Sequence, residues 1–232
     1  MKPFINLLIC TVFFVSMSAG CGITVKEMQM KSQSERTDVF VEVKDGEPIP
    51  EGFADLIMTA NIKTPLTGYY MLASKESLHG KPGYPFLINI DGQAVVWKSE
   101  GVLDSKPAYD KDGKTSLNPE AREGMKYALN KKVRLRAGSH RIFFGLPEEN
   151  YYSTVDITLK DGESVLIEFK PVYRYKKLPT RIPTFLKGIN RYEVFLNNAQ
   201  VFFTTEFHKP EYKKIWTCFK QNYYGDRTDN EA

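Results

Sequence analysis

The sequence predicts an all-β protein: an antiparallel β-sandwich with a long loop insertion and a C-terminal β extension. Three observations support this fold class. Apolar and polar residues alternate in short runs, turn-forming pairs such as Asp-Gly separate the runs, and aromatic residues make up 13% of the chain. Short alternating strands divided by tight turns are typical of antiparallel sandwiches. The 232 residues are enough for a substantial core.

The first twenty residues have the pattern of a secretory signal peptide. Lys2 gives a positive start, residues 4–15 (FINLLICTVFFV) form an apolar run, and small residues follow as far as Gly20. A membrane-spanning helix needs about 18 or more apolar residues, which is longer than this run. The pattern predicts export of the chain from the cytoplasm.

Residues 18–21 (SAGC) resemble the lipobox of bacterial lipoproteins, with Ser18 at the position where Leu is usual. The resemblance implies cleavage before Cys21, lipidation of Cys21 and attachment to the bacterial cell envelope. Gly22 stands where an Asp would mark retention in the inner membrane, which favours the outer membrane. The two alternatives are an ordinary signal peptide cut near Gly20, with Cys21 free, and an uncleaved membrane anchor.

The remaining chain is predicted to divide into four parts. Residues 21–37 are polar and without period, which is typical of a flexible tether. Residues 38–173 form the β-sandwich domain, residues 174–224 a C-terminal β extension that completes the sandwich or packs on it, and residues 225–232 a disordered tail.

The alternation begins directly after the tether. Residues 39–43 (VFVEV) predict a first strand that Asp45-Gly46 closes, and residues 54–63 (ADLIMTANIK) predict a second strand that ends at Pro65. Residues 69–73 (YYMLA) suggest a short third strand.

The clearest β pattern lies between Tyr84 and Tyr173. Two apolar runs flank Asp91-Gly92, which predicts a hairpin because glycine tolerates the positive φ of a tight turn. Ala137-Gly138 is predicted to turn the chain between two further strands. Residues 151–159 and 164–172 flank residues 160–163 (KDGE), which predicts another hairpin.

These three stretches resemble PEGA-type and related transthyretin-like β-sandwich modules of bacterial surface proteins. The matching residues are 88–95 (INIDGQAV), 135–142 (LRAGSHRI) and 161–163 (DGE). The chain lacks the Pro-Glu-Gly-Ala tetrapeptide and carries an insertion over residues 98–130, predicted to be a polar surface loop with one short helix from Asn118 or Pro119 to Ala128. The resemblance implies a non-catalytic module for display or contact at the envelope.

A basic and aromatic stretch follows the sandwich, and a strand pair is predicted around Asn197-Asn198. Residues 173–192 are the candidate contact surface for anionic lipid, glycan phosphate or an acidic partner, and a solvated linker is the alternative. The residues assigned to this candidate contact surface are Arg174, Lys176, Lys177, Arg181, Lys187 and Arg191.

Charge and cysteine usage exclude several classes of function. The net charge is +4, and it becomes +3 without the signal peptide, which is too mild for a nucleic-acid-binding protein. Loss of Cys10 and lipidation of Cys21 leave Cys218 without a disulfide partner. The three histidines are far apart and show no zinc-ligand spacing, so no metal or other cofactor is predicted.

The sequence therefore predicts a membrane-anchored, non-catalytic binding or assembly module whose partner is an envelope protein or a glycan. One alternative is a hydrolase acting on cell wall or glycan, in which His140, Glu148 or Glu149 would converge in a cleft. The other is a calcium-stabilised loop at Asp110 and Asp112, although Pro119 occupies the position of the bidentate acidic ligand of a calcium loop.

Overall fold

The computed structural model describes residues 30–34, 36–71, 76–174 and 183–201, and more than half of these residues lie in β-strands while very few are helical. Its strands are β1 (Phe40–Glu42), β2 (Phe53–Thr64), β3 (Tyr84–Ile90), β4 (Gln93–Ser99), β5 (Val102–Lys106), β6 (Arg122–Arg136), β7 (Gly138–Leu146), β8 (Tyr151–Leu159), β9 (Ser164–Tyr173), β10 (Ile189–Leu196) and β11 (Ala199–Val201). Short 3-10 turns cover Pro147–Glu149 and Thr184–Lys187. The all-β prediction is confirmed.

The described strands form two sheets. The larger sheet has the order β1-β6-β2-β9-β10-β11, with β5 also paired to β6, and the smaller sheet has the order β4-β3-β7-β8. β1 and β5 pair with opposite ends of the long strand β6. We call these the large sheet and the small sheet.

The chain passes between the two sheets at four connections, and one of them was predicted as a hairpin. Residues 160–163 join β8 of the small sheet to β9 of the large sheet, so the hairpin predicted there is wrong. Ala137 likewise joins β6 to β7 in different sheets. β9 pairs with β2 in parallel, so the large sheet is mixed rather than purely antiparallel.

Two predicted hairpins are confirmed. β3 and β4 pair through Asp91-Gly92, and β10 and β11 pair through Asn197-Asn198. All four turn residues have positive φ, between 47° and 95°, which is the backbone conformation that a two-residue hairpin turn requires. The C-terminal β extension therefore adds β10 and β11 to the large sheet as far as residue 201.

Two local predictions are wrong. About half of residues 98–130 is strand rather than loop, because β5 and the first half of β6 lie there, and the helix expected up to Ala128 does not form. Residues 107–121 alone make the polar excursion, with Tyr109 bridged to Thr115. Residues 69–71 form no strand, and residues 72–73 lie outside the described part.

The core lies between the two sheets and is rich in aromatic rings. Phe144 of the small sheet stacks on Phe169 of the large sheet, with ring centroids 4.2 Å apart. Tyr192 packs edge-on against Phe144 at 5.0 Å and lies fully inside. Alternate residues of each strand supply the remaining core, as the period of two predicts.

One charged group is buried on the outer face of the large sheet. The Asp55 side chain is 1% exposed and accepts hydrogen bonds from Arg134, with Oδ1 2.7 Å from Nε, while Lys132 Nζ lies 3.1 Å from its Oδ2. The Arg134 hydrogen bond is the main cause that holds the pKa of Asp55 below its usual value, against the opposing effect of burial. The ion pair joins β2 to β6 near the start of β2.

Replacing Asp55 with Ala is expected to lower the free energy of unfolding by about 3 kcal/mol, because two cations then lose their buried counter-charge. Chemical denaturation measures this change. Asp156→Ala is the matched control, since that carboxylate pairs with Arg141 at an exposed position and its loss should change stability little. Equal effects of both substitutions would contradict a structural role for Asp55.

Candidate functional site

Two groups of polar side chains border one cavity of about 190 Å³ at an end of the sandwich. The Glu149 cluster comprises His79, Tyr84, Glu148 and Glu149. The Lys63 cluster comprises Lys63, Asp104, Lys106, Glu120 and Lys126. These clusters contain the strongest candidates for chemistry among the described residues, and their geometry decides whether the cavity is a reaction site.

The Glu149 cluster depends on the turn that follows β7. Pro147 begins a 3-10 turn and Asn150 ends it with φ 48°, which directs both glutamates toward residues 76–80. Glu149 Oε1 lies 2.7 Å from His79 Nε2 and accepts the Tyr84 hydroxyl at 3.1 Å. Glu148 Oε2 accepts the backbone N–H of Leu78 at 3.0 Å. The two carboxylates therefore hold the connection between β2 and β3 against the sandwich.

The electrostatics of this cluster favour charge on His79. Burial lowers the pKa of His79, but the hydrogen bond and charge of Glu149, with the charge of Glu148, outweigh burial and raise it. Burial, followed by the Glu149 charge, raises the pKa of Tyr84 well above its usual value. Tyr84 is thus a neutral hydrogen-bond donor. His79 is a partner of Glu149 whose raised pKa favours the protonated form.

The Lys63 cluster surrounds a fully buried ammonium group. Lys63 Nζ donates to Asp104 Oδ2 at 2.6 Å and to the carbonyl oxygens of Glu120 and Arg122 at 2.9 and 2.7 Å. The ring of Phe185 covers it, with the centroid 5.1 Å from Nζ. Three acceptors match the three protons of the ammonium group, so it has no donor left for a ligand.

A glycine makes this arrangement sterically feasible. The Lys63 side chain crosses β6 at Gly124, where an added Cβ would lie 2.8 Å from Lys63 Cε and 2.8 Å from the carbonyl oxygen of Thr64. Any other residue would force the lysine or the backbone of β2 to move.

Glu120 links the Lys63 cluster to Tyr173, which lines the cavity. Its Oε2 accepts from Lys126 at 3.1 Å and from Lys106, and its Oε1 accepts the Tyr173 hydroxyl at 3.3 Å. Burial raises the pKa of Glu120, but the two lysines together outweigh burial and lower it. The Tyr173 hydroxyl in turn accepts the backbone N–H of Lys63 at 2.8 Å.

A second, open groove of about 720 Å³ lies on the outer face of the small sheet and contains His140. His140 Nδ1 lies 2.7 Å from Asp91 Oδ2, and Nε2 lies 2.8 Å from the carbonyl oxygen of Arg136. The neighbouring Ser139 hydroxyl pairs with Thr158 at 3.1 Å. His140 and Ser139 therefore do not form a nucleophile–base pair, as their positions on a strand predicted.

In the candidate calcium loop, the Asp110 carboxylate accepts hydrogen bonds from the backbone of a turn. Asp110 Oδ1 accepts the backbone N–H groups of Asp112 and Lys114 at 3.0 and 2.8 Å. In the described part of the chain, no three acidic, histidine or cysteine side chains come together in a group that could hold a metal ion.

The structure describes three members of the candidate contact surface. Arg174 Nε donates to the carbonyl oxygen of Ile189 at 2.9 Å, Lys187 lies at the end of a 3-10 turn, and Arg191 pairs with Glu193 at 2.6 Å. Lys176, Lys177, Arg181, the lipidation site Cys21 and Cys218 lie outside the described residues. No helix of the described part is long and apolar enough to cross a membrane.

Sequence reasoning named Glu148 and Glu149 but missed His79, Lys63 and Glu120. His79 and Glu149 are 70 positions apart in the chain, so no local spacing indicates that they meet. Lys63 occupies a polar position at the end of an alternating strand, where a lysine is ordinarily solvated. Gly124 would have given an indirect signal if residues 122–126 had been recognised as a strand, because glycine within a strand marks a close approach.

Comparison of the chain with protein-family models, with curated proteins and with solved structures found no match.

Substituting His79 with Gln is expected to change how stability depends on pH. A histidine whose pKa is raised on folding contributes stability that is complete below its usual pKa of about 6.5 and is lost as the pH rises through the raised value. The wild-type protein should therefore lose more unfolding free energy than His79→Gln between about pH 6 and about pH 8. Denaturant titrations of both proteins at these pH values measure the difference. Parallel profiles would contradict the charge assigned to His79.

Proposed function

We propose that the protein is a lipid-anchored module of the bacterial cell envelope that binds or assembles with an envelope protein or a glycan and catalyses no reaction. Cys21 carries the anchor, and the sandwich is a rigid body held near the membrane. The proposal combines the lipobox-like residues 18–21 with the bonding of the polar clusters.

The observation that carries the non-catalytic part is the use of the candidate acids and bases to hold the fold. A general base needs a lone pair that faces the substrate. Glu149 Oε1 already accepts from His79 and Tyr84, and both ring nitrogens of His140 face protein oxygens. These groups fix loops and turns, which favours a binding module over a hydrolase.

The anchor follows from the chemistry of lipid insertion. Each buried methylene contributes about 0.8 kcal/mol, so two or more acyl chains bind a protein to a bilayer stably. The first described strand begins at Phe40, nineteen residues after Cys21. The proposed location is the envelope, with the outer membrane favoured by Gly22.

The candidate contact surface supplies the binding chemistry of the proposal. Arg174 is exposed, and the Arg191 side chain is 42% exposed although Glu193 partly neutralises it. A cationic surface of this kind favours an anionic partner, such as a phosphate-bearing glycan or an acidic protein.

To test the proposal, the full chain is expressed in a bacterium, and the wild-type protein is compared with the Cys21→Ala variant. We expect the wild-type protein to begin at Cys21, to gain the mass of acyl chains and to sediment with membranes, because the lipid holds it there. The Cys21→Ala protein should lack this mass and leave the membrane fraction. Intact-mass spectrometry and fractionation measure both properties.

Cys218→Ala is the matched control, because it removes a cysteine that the proposal leaves unmodified. It should behave as wild type. If the Cys21→Ala protein shows the same acyl mass and the same membrane location as wild type, the anchoring proposal is wrong.

A further inference from the structure

Three apolar side chains are buried on the outer face of the small sheet, which points away from the core. Leu87, Phe143 and Tyr152 alternate with core residues and so point away from the sandwich interior, yet they are only 1%, 3% and 8% exposed and form a cluster separate from the core. We call them the outer cluster. An outward-facing group this well buried needs a covering layer.

The outer cluster itself is tightly built. Leu87 and Tyr152 flank Gly145 in register on the neighbouring strands, and a Cβ at Gly145 would lie 3.0 Å from the Phe143 ring. The rings of Phe143 and Tyr152 stack with centroids 5.1 Å apart. The three side chains thus fill the space that Gly145 leaves.

The described N-terminal residues already lie on this face. Asn89, which is next to Phe143 in register, donates from Nδ2 to the carbonyl oxygen of Lys31 at 2.8 Å. Ser34 Oγ donates to the carbonyl oxygen of Gly92 at 3.3 Å. The chain therefore reaches the outer cluster from its N-terminal side, before it enters β1.

We propose that residues 23–29 (ITVKEMQ) dock on the outer cluster, with Val25 and Met28 against it, so that this part of the chain is not a free tether. Residues 30–32 are helical, and the Met30 side chain is 58% exposed. If the helical turn continues toward the N-terminus, Val25 and Met28 lie on the side opposite Met30, toward the sheet.

The topology favours this occupant over the C-terminal segment. The last described strand, β11, belongs to the opposite sheet, whereas Lys31 already contacts the small sheet through Asn89.

The docking has a consequence for orientation, which rests on the proposed anchoring at Cys21. A docked segment that begins at Ile23 leaves only Gly22 between the acylated cysteine and the sandwich. The outer face of the small sheet then lies toward the bilayer, and the large sheet is presented away from it.

The first test places a photo-crosslinking amino acid at position 96 of the full chain. Val96 pairs with Leu87 on the outer face and is 43% exposed. We expect an intramolecular crosslink to a peptide within residues 22–31, and the same probe at position 103, on the large sheet, should give no such product. A crosslink to residues 202–232, a crosslink to a second copy, or no crosslink would each overturn the proposal.

The second test compares Val25→Asp and Met28→Asp with Met30→Asp. The first two should lower the Tm by several degrees, because a charge would enter an apolar contact, whereas Met30→Asp should leave the Tm unchanged since that side chain is exposed. Equal Tm values in all three variants would overturn the proposal.

Both tests are repeated in the Cys21→Ala protein. Docking depends on the side chains of residues 23–29 and not on the lipid, so the crosslink should persist in this background. A crosslink that persists while the protein fails to bind membranes separates the docking from the anchoring proposal. Loss of the crosslink on removal of the lipid would overturn docking as an intrinsic contact.

Discussion

The antiparallel ladder between β2 and β6 is the interaction on which the rest of the structure depends. It joins all twelve residues of β2 to β6 without a register shift. β1 and β5 pair with the other edge of β6, and β9 pairs with the other edge of β2. The small sheet packs on the apolar face of the large sheet, which this ladder forms together with β9 and β10.

The ends of such a sandwich must be closed, and here polar groups close one of them. Burying the Lys63 ammonium would be costly without partners, but three oxygens and the Phe185 ring surround it. Glu149 holds His79 and Tyr84 in the same way. Each group forms hydrogen bonds with another, which gives this end of the sandwich a defined arrangement.

The sequence predicted the features that depend on neighbours in the chain and missed those that depend on distant ones. The turns at Asp91-Gly92 and Asn197-Asn198 were predicted because their residues alone favour positive φ. The parallel partner of β2 was not, since nothing near residues 160–163 indicates a change of sheet. Residues 122–126 were read as part of a polar loop with a short helix because they include charged side chains, whereas the structure pairs them with β5 as a strand and holds Lys126 against Glu120.

The central claim is that the acids and bases at the end of the sandwich are structural, and a double-mutant cycle between His79 and Glu149 tests it most directly. Unfolding free energies of His79→Gln, Glu149→Gln and the double variant give the coupling energy between the two side chains. The account predicts a favourable coupling of about 0.5–3 kcal/mol, as for contacting residues in one hydrogen-bond network. Additive effects within about 0.5 kcal/mol would show that the pair does not hold the fold and would contradict the account.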